Sequence, residues 1–485
     1  MALLALLFAT LLGAVAFEDA TRPHRSLLAG LGSDVSVLYC GGAAIAAGTD
    51  PYASDAIRLC ADRIAPEGDA RDRSAYPSRL PGYALAMFAP LSRLPYSIAK
   101  PLWLAFLLGA IVASAGYLAA IARVRVPIVL LALSLSAAYL SLTDGLLSPL
   151  VLLALSAAAF YLERRRFGLA AVALALTIVA PQVGLVACVS AAIWLPRIRL
   201  PLALAVGALV TAGVSTLGLA RSVAYVMHVV PGRAYAELVA VDQWSLSHVL
   251  HVLGLPDYAA MWLGVVSYVA MGAIGIVVAR RAASALCSDG LIIALPAAAV
   301  LLGGPDLHEP QLCLAFPAAF LLASRARHGR SVAWLALGLL VFPWFSLSDE
   351  RTGVFLPAFG IALVAVAGLT FIAARGLSPL SRCLTMAGAV IGCGILVLAF
   401  RHLPGPAPTA IAVPALQTGP PASDWGAFLR ASPELSVPSW QKEAEKVPSW
   451  IALACLISVA GIQRRRSPHE VRAERHARAG IAVSV

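Results

Sequence analysis

The sequence predicts an all-α polytopic membrane protein, with about 12–14 transmembrane helices. Three observations carry this expectation. Of 485 residues, 60% are hydrophobic and 13% charged, with a mean hydropathy of +0.84. Apolar runs of about 14–24 residues recur from end to end, close to the ~20 residues that cross a bilayer core as a helix. Arginines collect in the short breaks, as at Arg123 and Arg125, Arg164 to Arg166, Arg280 and Arg281, and Arg464 to Arg466. That is the positive-inside pattern. The runs are too long for barrel strands, and in lipid only helices or closed barrels satisfy their backbone. The net charge of +11 thus sets topology and meets anionic headgroups; it does not point to nucleic acid.

Taken in order, residues 2–17 form the first apolar run. It ends Ala14-Val15-Ala16, which suits a signal peptidase, yet no Lys or Arg precedes it. A retained first helix is the expectation and a cleaved signal the alternative; either leaves residue 18 onward outside. The loop 18–80 carries seven arginines against nine acids, unlike the arginine-rich breaks, and is placed outside. Residues 81–97 are broken by Pro90, Arg93 and Pro95 and read as an interfacial or re-entrant helix. Spans follow near 98–121, 127–142, 146–162, 167–181, 183–196, 200–219, 259–279, 288–303, 311–324, 331–347, 352–374, 383–400 and 450–462. This order puts both termini on the cytoplasmic side of the plasma (inner) membrane. It divides the chain into a transmembrane domain over 1–400, an outer loop at 401–449, a last span at 450–462 and a basic tail at 463–485. The loop at 401–449 starts proline-rich and then offers a short surface helix within Asp424 to Lys446.

The polar residues outside the spans are the candidates for chemistry. Asp34 is placed either to cap a helix at Val35 onward or to act as a general base at headgroup depth. Cys40 and Cys60 face an oxidising compartment, where a disulfide would close a loop of about 20 residues and stabilise it by roughly 3 kcal/mol. Gly48-Thr49-Asp50-Pro51-Tyr52 is a turn signal, with Tyr52 an interfacial anchor or a sugar platform. Gln182, inside an apolar region, either bonds a neighbouring helix or touches a glycan. His248 and His251 share a helix face; a metal site there lacks a nameable third ligand, leaving a structural helix or a donor or acceptor contact. Asp306, His308 and Glu309 crowd one short turn, where His308 either is solvated or meets a phosphate. Arg79, Arg221 and Arg233 lie outside, against the positive-inside trend, and suit phosphate or ordinary salt bridges. Glycine-rich phosphate loops, Cys-x-x-Cys pairs, zinc motifs and Gly-x-Ser-x-Gly elbows are not seen.

Read together, several motifs resemble one known family. They are Asp34-x-x-Val37-x-Tyr39, then Gly48-x-Asp50-Pro51-Tyr52, then Leu80-Pro81-Gly82-Tyr83 with Ala89-Pro90-Leu91 and Leu94-Pro95. Pro181-Gln182, Gln243-Trp244-Ser245-Leu246-Ser247 and the His308 turn continue them. The chain resembles the GT-C superfamily of membrane glycosyltransferases, specifically family 87, which includes polyprenol-phosphate-mannose-dependent mannosyltransferases. The resemblance covers roughly residues 1–325 and implies a multi-span helical fold with a first outer loop bearing interfacial helices. It implies transfer of a sugar, mannose or another hexose or pentose, from a polyprenyl-phosphate donor to a glycan, lipid or polymer acceptor on the outer face, with inversion. It implies Asp34 as general base, His308 near the site, and donor or acceptor contacts drawn from Tyr39, Asp50, Tyr52, Arg79, Gln182, Arg221, Gln243 and His248. The partners implied are membrane lipids, the lipid-linked donor as cosubstrate and a glycan or glycolipid acceptor, with no permanent cofactor, metal or nucleic acid expected. Two departures stand out: Ala180-Pro181-Gln182 where family members often have Lys-Pro-Gln, and Tyr76-Pro77-Ser78 where they often have Tyr-Pro-Pro. The alternatives are a lipid-linked glycan transporter or flippase, which would bury several charges mid-span, and an oligosaccharide polymerase or ligase.

Overall fold

The computed structural model describes residues 34–64, 77–240, 243–341 and 440–463, with Gly32, Trp344 and a few single positions between 378 and 387. The first apolar run, the expected spans at 352–374 and 383–400, most of the loop 401–449 and the tail after 463 lie outside the described residues. Among those described, the regular structure is helical, with one isolated antiparallel bridge between Gln243 and His308. The all-α membrane class stands.

Among the described residues, four helices are long and apolar enough to cross a membrane: Tyr96–Ala122, Pro196–Leu217, Asp257–Leu286 and Glu443–Gly461. The single span expected at 127–142 is instead two helices, Val126–Ser134 and Ala137–Asp144, bent by 61°. The cause is Ser136, whose backbone is extended and whose Oγ accepts from the Ala138 amide (3.2 Å). It therefore ends one helix and caps the next. Shorter apolar helices, including Ser148–Glu163, Phe167–Val179, Pro181–Trp194 and Leu291–Val300, fill the bundle between the long ones. Leu291–Val300 is buried on every side, so its length is set by its helical neighbours rather than by lipid.

The helix ends sort into two groups. At the arginine-rich end, Glu163 accepts from Arg325 (2.7 Å), Ser288 Oγ (2.5 Å) and the Gly290 amide (3.0 Å), and Arg325 also donates to the Ile121 carbonyl (2.9 Å). One ion pair thus ties together helix ends near 121, 163, 290 and 325. The other end gathers the front segment, the turn after Asp144, residues 218–256, residues 301–310 and the start of the last helix.

The front segment consists of Val35–Ala46, Ser54–Ile64 and two one-turn helices, Gly82–Leu85 and Phe88–Leu91. Residues 82–91 thus stop short of a span, as the proline breaks require. Gly42 lies so close to this segment that a Cβ there would sit 2.4 Å from the Phe88 carbonyl carbon. Only glycine permits that approach.

The last helix differs from expectation. It runs from Trp440 to Gly461 rather than beginning at 450, so the boundary drawn at 449/450 falls inside a helix. Its first turns are not a surface helix: Glu443, Glu445 and Lys446 are at most 1% exposed. Charges are buried this way when they pair, and Lys446 Nζ lies 2.6 Å from Glu443 Oε1.

Candidate functional site

Asp34 sits immediately before helix Val35–Ala46, its amide bonded to the Asp144 carbonyl (3.0 Å). Its side chain does not cap that helix. One carboxylate oxygen, Oδ2, is instead engaged by the Arg79 guanidinium, with both side chains partly open to solvent. The capping alternative therefore gives way to a tertiary ion pair. Around it, the front segment is fixed by groups the sequence offered as contacts. Cys40 and Cys60 are bonded through their sulfurs, with Cα atoms 5.5 Å apart. The Tyr39 hydroxyl donates to the Leu94 (2.7 Å) and Ser92 (3.1 Å) carbonyls, and its ring meets Tyr96 edge-on. Asp50 Oδ1 accepts from the Tyr52 amide (2.9 Å), the side-chain turn its Asp-Pro setting favours. Tyr52, buried, donates to the Leu80 carbonyl (3.0 Å). Arg221, at the exposed surface, reaches the Thr49 (3.3 Å) and Gly48 (3.4 Å) carbonyls. In this structure Tyr39, Asp50, Tyr52 and Arg221 hold the loop's shape.

The second half of the site comes from residues 219–239. This run is helical but widens into a π-helix over Tyr225–Val229. The wider turn keeps residues four apart on one face: Tyr225, Val229, Arg233 and Glu237 all turn inward and lie largely buried. Leu219, Val223, Val226 and Met227 remain exposed on the outer face. Arg233 Nε donates to Glu237 Oε1 (2.9 Å), and its Nη2 lies 3.4 Å from Asp306 and 3.3 Å from His308 Nε2. His308 Nε2 is 3.0 Å from Glu237 Oε2 and 3.4 Å from Asp306 Oδ1. Gln243 Nε2 donates to Glu237 (3.1 Å) and Asp306 (3.0 Å). The Gln243–His308 bridge sets this register: the Trp244 amide donates to the Leu307 carbonyl (2.5 Å) and the Leu307 amide to Gln243 Oε1 (3.0 Å).

The electrostatics follow from burial and pairing. Burial alone would push the Asp306 carboxyl up, but Arg233, His308 and Gln243 override it and hold Asp306 well below the usual carboxylate range. Burial likewise works against charge on Arg233, and Asp306 and Glu237 more than offset it. The Tyr225 phenol is pushed well up, chiefly by burial. Its hydroxyl donates to the Arg79 carbonyl (3.2 Å), and its ring packs 5.3 Å from Tyr52. Tyr225 thereby joins the Asp34–Arg79 pair to the Arg233–His308 cluster. Glu237, Asp306 and His308 offer ligand atoms within 4.8 Å of one another, a spacing suited to a divalent cation. The Arg233 guanidinium already supplies positive charge there.

Two further candidates stand apart. The Gln182 carbonyl accepts from the Tyr268 hydroxyl (2.6 Å), a helix–helix contact. His248 is fully buried between the Leu238 carbonyl (2.8 Å from Nδ1) and Glu443 (2.9 Å from Nε2). Glu237 and Tyr225 were not singled out from the sequence. Glu237 had a signal, an Arg–Glu pair four apart at 233 and 237; Tyr225 had none.

Residues 81–305 match the family model described as Glycosyltransferase family 87. That stretch includes Arg233, Glu237 and Gln243 and ends just before Asp306; the segment bearing Asp34 to Tyr52 precedes it. Comparison with curated proteins gave no match, and neither did comparison with solved structures. Over those 225 of 485 residues, just under half of its length, the chain is similar to the glycosyltransferases of family 87.

Proposed function

We propose that the protein transfers a sugar, mannose or another hexose or pentose, from a polyprenyl-phosphate donor to a glycan or glycolipid acceptor at the outer face of the plasma membrane. The observation that carries this reading is the convergence, at the end away from the arginine-rich breaks, of the Asp34–Arg79 pair and the Arg233–His308 cluster, joined through Tyr225. A lipid donor confined to the interface would meet both halves, and confinement of reactants supplies much of the advantage of an intramolecular reaction. In the step proposed, Asp34 takes the proton from an acceptor hydroxyl as that oxygen bonds to the anomeric carbon. The bond from the anomeric carbon to phosphate oxygen breaks from the opposite side, and the leaving polyprenyl phosphate keeps the electron pair, which inverts the configuration. Arg79, Arg233 and His308 are the groups that would meet the developing phosphate charge. No metal enters the proposal, because Arg233 places fixed positive charge between Glu237 and Asp306.

The test uses purified protein in detergent and in liposomes with a synthetic polyprenyl-phosphate mannose and a simple mannoside acceptor. Release of polyprenyl phosphate with an inverted glycosidic product is the expected result. Movement of the intact sugar-lipid across liposomes without cleavage would refute the transferase reading in favour of transport.

A further inference from the structure

Helix Trp440–Gly461 lies outside residues 81–305, yet it grips the strip behind the candidate site at three points. Glu443 Oε1 lies 2.9 Å from His248 Nε2. Lys446 Nζ lies 5.8 Å above the Trp244 ring and 2.6 Å from Glu443 Oε1. Trp450 Nε1 donates to the Trp244 carbonyl (3.3 Å). The far side of this strip is the pairing of Gln243 and Trp244 with Leu307 and His308, so the helix is two contacts from His308.

Charge burial makes the arrangement costly. Glu443 is 1% exposed, and Lys446 and His248 are fully buried. Buried ion pairs are often replaceable by apolar side chains without loss of stability, and their better-attested use is to fix one register. Here the register is that of residues 243–248. A carbonyl only accepts, so Nδ1 of His248 carries a hydrogen to Leu238, and the contact of Nε2 with Glu443 takes one further hydrogen, on Nε2 or on the carboxyl. Apolar packing would bury this helix end equally well but would leave the rotation of 243–248, and with it the height of His308, unspecified.

We propose that Glu443, acting through His248, and Lys446, acting through Trp244, are positioning residues for Gln243 and His308. The last helix is thereby part of the reaction site's framework rather than only an anchor. The inference rests on the transferase reading, so two independent measurements test it.

The first is a double-mutant cycle in full-length protein in nanodiscs, with synthetic polyprenyl-phosphate mannose as donor. Glu443→Gln should lower kcat about tenfold while donor KM stays within about twofold, and the same change made on His308→Gln should cost nothing further, the signature of residues acting as one unit. Wild-type kcat in Glu443→Gln, or a full additional tenfold loss in the double variant, would overturn the proposal.

If wild-type protein releases no polyprenyl phosphate, the transferase reading fails, and amide exchange decides the positioning on its own. Peptides over 243–252 and 304–309 should exchange about tenfold faster in Glu443→Gln, with 181–194 and 450–461 unchanged. Unchanged exchange at 243–252 would overturn the proposal. Should Glu443→Gln loosen 450–461 as well, Trp450→Phe, which deletes one hydrogen bond and keeps a smaller aromatic ring, should still speed exchange at 243–252 about threefold. No change there would overturn the proposal too.

Discussion

Replacing Asp34 with Asn separates chemistry from architecture. The amide keeps the volume of the carboxyl, and its oxygen can still accept from Arg79. The backbone bonds that seat the residue, from its own amide to Asp144 and from the Leu38 amide to its carbonyl (3.2 Å), do not involve the side chain. What disappears is the negative charge. Asp34 and Arg79 side chains are 25% and 17% exposed, so the lost ion pair, screened by solvent, costs at most about 1 kcal/mol of stability. A positioned general base is worth about 10²–10⁴ in rate, or roughly 2.7–5.4 kcal/mol at ~1.36 kcal/mol per tenfold. Asp34→Asn should thus lose about 100-fold or more in transfer rate with a thermal midpoint within a few degrees of wild type. The assay is single-turnover release of polyprenyl phosphate from a labelled donor, run beside thermal unfolding in the same detergent. Asp50→Asn is the control, because its side chain closes a turn that Asn also makes; it should keep most of the activity. Retention of more than about a tenth of the wild-type rate in Asp34→Asn would refute its role as base.

Four other substitutions follow from packing and charge. Gly42→Ala drives a Cβ into the Phe88 backbone and should cost about 1–3 kcal/mol. Gly116→Ala, facing open space in helix Tyr96–Ala122, should instead gain up to about 1 kcal/mol from helix propensity; urea or thermal titration of both variants reads the contrast. Arg325→Met leaves Glu163 with two neutral donors in place of a cation and should lower stability by about 3 kcal/mol, measured by thermal unfolding. Asp306 has its folded pKa held below the unfolded value, so its contribution is present above about pH 3.9 and fades as pH falls through and below it. Asp306→Asn should therefore destabilise at pH 7, and its deficit against wild type should shrink by about 1 kcal/mol at pH 3 in a pH series of melts.

Much of the architecture was legible because bilayer insertion is read locally. Hydropathy over ~20 residues and the side taken by arginines need no knowledge of partners. The helices at Tyr96–Ala122, Ser148–Glu163 and Asp257–Leu286 accordingly fall near their expected places. The failures share a cause. Ser136 broke a span that hydropathy ran straight through, because a side-chain cap acts over two residues and is invisible in an average. Glu443 and Lys446 looked like surface charges because the partner that lets Glu443 be buried, His248, is 195 residues away.

The site divides the same way. Sequence by itself determined that this is a helical membrane protein, with residues 81–305 similar to family 87. It also placed the loop after the first apolar run, Gln243 and the His308 turn among the residues to watch, since these are matters of composition, hydropathy and short motifs. Tertiary structure alone decided what each side chain does. It paired Asp34 with Arg79 rather than with its own helix, and it turned Tyr39, Asp50 and Tyr52 into supports. It also brought Arg233 and Glu237 to Asp306 and His308 through a π-turn and a two-residue bridge. The reason is that a charged or polar side chain in a mostly apolar protein takes whichever partner the fold brings within about 3 Å, and that proximity is a property of packing, not of spacing along the chain.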